Sequence, residues 1–271
     1  MNDPRSDAEL SRDVAQQAGQ LLLQIRQDFF AEHSVRDKET ANQLRDKADA
    51  ASNDLILDLL KQARPGDAIL SEEAKDDSNR LTSDRVWIVD PLDGTWEYGQ
   101  DRVDFAVHIA LWSNNSLQAC TVDLPAQGLT RSVLDDVEFR MLPADRPIRI
   151  VASRSRPPAT LEKTCDTLAR ILDQAGVNEH GVEIVDVGSV GAKVNEILSG
   201  RADAYIHDTG FYEWDVAAPY GVAEHYGLTC SHVSGDPITF NHMPPYVDDL
   251  AVSIAPLFSP LQRALVEASA T

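Results

Sequence analysis

The sequence predicts a mixed α/β (α+β) fold built in layers, and three observations predict it. Helical apolar spacing opens the chain, short apolar runs of strand length fill its middle, and helices alternate with strands through its second half. Neither a helix bundle nor an all-strand sandwich accommodates that mixture. With 271 residues, 43% of them hydrophobic, the chain is long enough to bury a sizeable core in one large unit or two joined halves.

Leu10, Val14, Ala18, Leu21, Leu22 and Ile25 recur at helical spacing and predict a first helix over 7–31. Residues 34–48 are strongly polar and read as a mobile connection. Leu55, Ile56, Leu59 and Leu60 predict a second amphipathic helix over 49–63, which Arg64-Pro65-Gly66-Asp67 stops. Strands are expected at 68–70, 85–89, 105–111, 117–123 and 129–133. The polar stretch 135–147, with Pro143 and Pro147, marks a boundary between an N-terminal α+β half (1–146) and a C-terminal α/β half (147–271). In the second half, strands at 148–152, 182–187, 202–206 and 250–254 alternate with helices at 160–175, 190–199, 214–226 and 257–268.

Lys and Arg total 24 against 44 Asp and Glu, a net charge of −20. That excess repels polyanions and argues against a nucleic acid polymer as partner. A small phosphorylated substrate stays admissible, because bound divalent cations invert the local field. Cys120, Cys165 and Cys230 show no CxxC spacing and read as reduced thiols of a cytoplasmic protein. The opening 1–12 is too polar for a signal peptide, and the longest apolar stretch, around 105–112, is too short to span a membrane.

The chemistry concentrates at Asp90-Pro91-Leu92-Asp93-Gly94-Thr95. A buried strand ends in Asp90, and Pro91 removes a donor and holds Asp90 extended. Asp93 follows two residues on, and the Leu92 carbonyl can point the same way. Such all-oxygen sets suit hard cations such as Mg²⁺. The amides of Gly94 and Thr95, near a helix start, suit a phosphate. The same residues also fit an ordinary turn, since Asp-Pro and Asp-Gly are turn dipeptides. Glu72-Glu73, Asp49 and Asp215 supply further carboxylates, although Asp49 and Asp215 each read equally as helix caps.

Together, Glu72-Glu73, Asp90 to Thr95 and Trp214-Asp215-Val216-Ala217-Ala218 resemble the E-E, D-P-[ILV]-D-G-T and W-D motifs of the inositol monophosphatase superfamily, in order and spacing, from about residue 8 to 268. The resemblance implies a layered α-β-α-β-α sandwich of the inositol monophosphatase / fructose-1,6-bisphosphatase type, a lithium-sensitive homodimer with about two or three Mg²⁺ per active site. It implies Glu72, Asp90, the Leu92 carbonyl, Asp93 and Asp215 as metal ligands. It implies Asp49 and Thr95, with Glu72, as the catalytic groups around the attacking water, and the Gly94 and Thr95 amides as phosphate contacts. One departure is Asp46, which stands where the family often has Thr in Thr-x-x-Asp. The preceding 39–45 also lacks the usual hairpin, which puts a third metal site there in doubt.

Within the superfamily, residues 64–73, 83–95, 107–112 and 213–219 resemble the CysQ-type 3'(2'),5'-bisphosphate nucleotidases in their actinobacterial form. Ala152-Ser-Arg-Ser-Arg156 resembles their S-R-S-H segment. The substrate implied is 3'-phosphoadenosine 5'-phosphate, with loss of its 3'-phosphate to give AMP during sulfate assimilation. Ser153, Arg154 and Arg156 then become candidate nucleotide contacts, Arg being suited to a second phosphate. The two arginines also fit surface ion pairs. Ser189, Gly191 and Lys193 begin a helix that the resemblance places toward the substrate, with Asp215; a solvated helix lysine is the alternative for Lys193. Their segment lacks a Walker ending. His207 reads as a hydrogen-bonded or partly buried histidine rather than a ligand, and Trp87, Trp112 and Trp214 as core residues. Rival activities are inositol monophosphatase or fructose-1,6-bisphosphatase on the same scaffold, and a non-catalytic metal- or nucleotide-binding regulator.

Overall fold

The computed structural model describes residues 3–33, 37–137, 139–154 and 156–270. Helices α1 (Asp7–Glu32) and α2 (Lys38–Ala63) are followed by strands β1 (Ala68–Ser71) and β2 (Arg85–Asp93), the short helix α3 (Thr95–Gly99), and β3 (Ala106–Ser113), β4 (Ser116–Leu124) and β5 (Leu129–Ser132). The second half runs β6 (Ile148–Ser153), α4 (Leu161–Gln174), β7 (Val182–Val187), α5 (Val190–Leu198), β8 (Ala204–His207), β9 (Phe211–Tyr212) and α6 (Glu213–His225). It ends with β10 (Leu228–Ser231), β11 (Tyr246–Val247), β12 (Leu250–Ile254) and α7 (Phe258–Ser269).

β1 to β5 form one sheet in sequence order, with β1 and β2 parallel and the rest antiparallel. The other large sheet has the order β10-β12-β8-β6-β7, parallel among β8, β6 and β7. β2 is buried on both faces, as strands between two helical layers are. Its Trp87 and Val89 pack with Leu10, Leu22, Ile56 and Leu60 of α1 and α2. Its Val86 and Ile88 face the other core, with Val194 of α5 and Val216 of α6. α5 also meets β8, and α4 and α7 pack together on the outer face of the second sheet. The layers are therefore α-β-α-β-α, as the resemblance implies.

The polar connection expected over 34–48 is corrected. Lys38–Ala63 is one continuous helix, capped by the Asp37 side chain on the Thr40 amide. Its polar first half hides a stripe of Ala41, Leu44, Ala48 and Ser52, at spacings of three and four. Too few of these residues are large for the apolar pattern to stand out. Ser34 to Arg36 lie outside the described residues. Strands β9, β10 and β11 were not expected; they are two or four residues long and draw on a partner strand rather than on local pattern.

Candidate active site

β2 ends where three elements meet. β1 runs parallel beside it, Ser71 opposite Val89, so Glu72 leaves its strand next to Asp90. The Glu72 amide donates to the Val89 carbonyl. α2 is pinned to the same point: Ser52 Oγ donates to the Pro91 carbonyl, and Ser71 Oγ donates to Asn53 Oδ1. Asp49 lies one turn earlier on α2 and is carried to the cleft by these bonds. Asp90 is 1% exposed and shares the face of Val86 and Ile88, turned to α5 and α6.

Past Asp93 the chain turns through Gly94, whose φ of 85° is left-handed. A Cβ at Gly94 would lie 3.1 Å from Ser189 Cβ and 3.3 Å from the Asp104 carbonyl. Thr95 begins α3, and its hydroxyl donates to the Leu92 carbonyl at 3.1 Å. Asp93 reaches the start of α5, where Oδ2 accepts the amides of Val190 (2.6 Å) and Gly191 (3.2 Å). Gly191 is thus turned to Asp93, while Ser189 caps the helix through the Ala192 amide. Asp215, in the first turn of α6, accepts the Tyr212 amide at 2.8 Å.

Carboxylate oxygens of Asp90, Asp93 and Asp215 lie within 4.8 Å of one another, a group able to hold a metal ion. Like charges this close raise each other's pKa, and so does lost solvation. Asp215 is pushed up to about 8, by burial first and Asp93 next. Asp90 is raised well above the carboxylate range by burial, then by Glu72 and Asp93. Asp49 and Glu72 are each raised to about 7, by desolvation and then by neighbouring carboxylates. Glu72 is itself exposed, so solvent screens it more than Asp90 or Asp215. All four favour a cation among them.

A cavity of ≈ 530 Å³ opens from Asp93 and Asp215 past Thr95 toward Lys193, Ser153 and the two arginines. Lys193 is 4% exposed, which removes the solvated reading. Its ammonium donates to the Gly188 carbonyl and stands 5.4 Å from the Tyr205 ring centre. Burial lowers its pKa to about 8, against the pull of Asp93, Glu97 and Asp104. Arg154 pairs with Glu97 at 3.3 Å and Asp104 at 3.4 Å. Those acids are not scattered on the surface: Glu97 lines the cavity, and Asp104 accepts the Gly188 amide at its wall. Arg156 also lines the cavity, while Ser155 lies outside the described residues.

His207 is buried and stacks on Phe211, ring centres 3.9 Å apart, with Nε2 against Gly210 O and Thr209 Oγ1. Trp87 is fully buried and donates Nε1–H to Asp67, whereas Trp112 and Trp214 are only partly buried. Sequence reasoning passed over Trp96, 51% exposed on the cavity wall, and His108, fully buried behind the carboxylates. Trp96 carried no periodic signal. His108 did carry one, as a lone polar residue within the apolar run Phe105 to Trp112.

The chain matches the family described as Inositol monophosphatase family over residues 3–263. It is 41% identical over 259 residues to a 3'-phosphoadenosine 5'-phosphate phosphatase of Mycobacterium bovis, covering 93% of this chain and 90% of that one. It is 25% identical over 248 residues to the inositol-1-monophosphatase of Bacillus subtilis, covering 86% and 89%. Among solved structures, that of CysQ from Bacteroides thetaiotaomicron, a bacterial member of the inositol monophosphatase family, superposes with a TM-score of 0.71 at 26% identity, covering 93% of this chain and 98% of that one.

Proposed function

Because this chain belongs to the inositol monophosphatase family, we propose that it is a Mg²⁺-dependent phosphomonoesterase that removes the 3'-phosphate of 3'-phosphoadenosine 5'-phosphate, giving AMP and phosphate. The observation that carries the reading is the convergence of Asp90, Asp93 and Asp215 beside a cavity that Asp93 and Asp215 line together with Lys193, Arg154 and Arg156. The 41% identity to a phosphatase of that name supports the choice of ester.

Glu72, Asp90, the Leu92 carbonyl, Asp93 and Asp215 hold the metal, about two or three ions per site. Their hard oxygens fit Mg²⁺, and burial leaves their charges poorly solvated without a cation. When bound, Mg²⁺ supplies Lewis-acid stabilisation of the phosphoryl oxygens and a lowered pKa for water. Asp49, raised to about 7, accepts the proton of the attacking water near neutral pH. Thr95 orients that water, and the Gly94 and Thr95 amides hold the phosphoryl group. Asp215, at the cavity wall, bounds the sugar. Ser153, Arg154, Ser189 and Lys193 take the remainder of the nucleotide, the cations meeting its second phosphate. Gly191 acts at one remove, through Asp93. In this reading residues 1–146 carry most of the ligands and 147–271 carry Asp215 and the specificity groups, in a cytoplasmic homodimer.

Phosphate release from the bisphosphonucleotide, inositol 1-phosphate and fructose 1,6-bisphosphate, with and without Mg²⁺ and Li⁺, tests the assignment. The nucleotide is expected to be preferred, and Li⁺ to inhibit. A preference of more than about tenfold for inositol phosphate, ~1.4 kcal/mol in transition-state binding, would overturn the substrate. Asp93→Asn is expected to abolish turnover with the circular dichroism spectrum unchanged. Near-normal activity of that variant in Mg²⁺ would remove the metal assignment, and a non-catalytic protein would release no phosphate from any of the three.

A further inference from the structure

His108 sits at the back of the carboxylate cluster, away from solvent. It is 0% exposed and stands directly opposite Asp90 in the β2–β3 register. It therefore projects to the same face as Asp90, toward α5 and α6. Its Nε2 lies 3.3 Å from Asp93 Oδ2. The backbone of Trp214, the residue before Asp215, interacts with the same ring. One imidazole thus touches or faces all three positions of the cluster.

The surroundings are shaped to admit it. Gly191 is the residue of α5 nearest the ring, and a Cβ there would lie 2.5 Å from Nε2. Any other residue at 191 would push the imidazole off Asp93. A neutral imidazole has one N–H to give, and the ring nitrogen beside Asp93 is Nε2. A carboxylate is the stronger acceptor than a backbone carbonyl, because a charged acceptor strengthens the bond. Neither ring nitrogen makes a well-aligned hydrogen bond as it stands, and Asp93 Oδ2, 3.3 Å from Nε2, is the charged acceptor within reach, so an N–H not turned onto it would be stranded in the interior.

We propose that His108 is a positioning residue of the metal centre, whose Nε2–H, with the Val190 and Gly191 amides, occupies Asp93 Oδ2 and leaves Oδ1 to face the metal. The inference rests on the reading of the cluster as a metal site. Groups that orient ligands in this way typically change metal affinity by about 10–100-fold when lost. The amide of a glutamine can replace Nε2, whereas that of an asparagine reaches only the Nδ1 position.

The test is calorimetric titration of the chelator-stripped full chain with Mg²⁺, for the wild type, His108→Gln and His108→Asn. His108→Asn is expected to bind Mg²⁺ about 10–100-fold more weakly. His108→Gln is expected to recover most of the affinity, which a purely space-filling role would not reproduce. Thermal midpoints in chelator report any loss of fold separately. Equal Mg²⁺ affinity in His108→Asn and the wild type overturns the proposal. Should either variant fail to fold, ¹⁵N NMR of the Mg²⁺-loaded wild type decides. A proton on His108 Nε2 supports the proposal and a proton on Nδ1 alone overturns it. A wild type that binds no Mg²⁺ sinks the metal centre and this inference together; Mg²⁺ binding unaffected by His108→Asn sinks only the inference.

Discussion

Asp49, Glu72, Asp90 and Asp215 all hold protons more tightly than ordinary carboxylates, and the sign of the consequence follows. A carboxylate whose folded pKa is raised contributes stability that is present in full below its unfolded pKa and lost as pH rises through its folded pKa. The unfolded values are 3.8 for Asp and 4.5 for Glu, and the folded ones reach about 7 to about 8. In chelator, the thermal midpoint is therefore expected to fall between pH 5 and pH 8, and Mg²⁺ to restore more at pH 8 than at pH 5. Scanning calorimetry at the two pH values checks both, and a midpoint that rises with pH would contradict the assignment. The carboxylates were legible in the sequence because each stood at the end of an expected strand or the start of an expected helix, although Asp49 lies inside α2 and β2 runs past Asp90. The environment of Lys193 was not: its helix position gave no sign that its ammonium folds back onto the Gly188 carbonyl, or of the Tyr205 ring, which β8 supplies.

Among elements, the turn from β2 into α3 does most to set the site, and it depends on Gly94. An L-residue there meets both the left-handed penalty, about 1–2 kcal/mol, and the contacts at 3.1 and 3.3 Å to Ser189 and Asp104. Gly94→Ala is expected to lower the stability measured by urea unfolding by about 2 kcal/mol and to reduce kcat, because α5 and α3 are pushed apart at the proposed phosphoryl site. Unchanged stability and activity would show the turn to be more compliant. The sequence pattern located β2 and its carboxylates but stopped the strand at 89, since Pro91 reads as a terminator. The strand instead runs to Asp93 with a register shift against β3 between Asp90 and Asp93. α2 was shortened for the opposite reason, because apart from Leu44 its first half buries only small residues.

At the scale of the molecule, the two sheets must keep Glu72 and Asp215 in register across the layer of α5 and α6. Arg80 provides one tie. It is 1% exposed and binds Asp76 at 2.7 Å, Asn241 Oδ1 at 2.6 Å and the His242 carbonyl at 2.7 Å. The buried Glu213 accepts the amides of the same Asn241 and His242, both at 2.7 Å, at the start of the helix that carries Asp215. The segment after Glu72 is thereby joined to α6 through one loop. Arg80→Met removes every polar bond of a buried cation, and a loss of about 3 kcal/mol is expected, with weaker Mg²⁺ binding. Chemical denaturation and Mg²⁺ titration measure the two effects, and a loss below ~1 kcal/mol would make the tie incidental. Nothing in the sequence pointed to the tie, because Asn241 and His242 lie more than 160 positions from Arg80, and its near partner Asp76 makes an ordinary i,i+4 pair.

The clasp of Glu97 and Asp104 on Arg154 bears on which anions the cavity admits. A guanidinium already neutralised by two acids offers little to a stray chloride or sulfate. A newcomer must bring enough negative charge and enough donors and acceptors to outbid both carboxylates at once. The cleft is in that sense self-plugged with the protein's own anions, an admission threshold that the proposed nucleotide, with two phosphates, is expected to clear and simple salts are not.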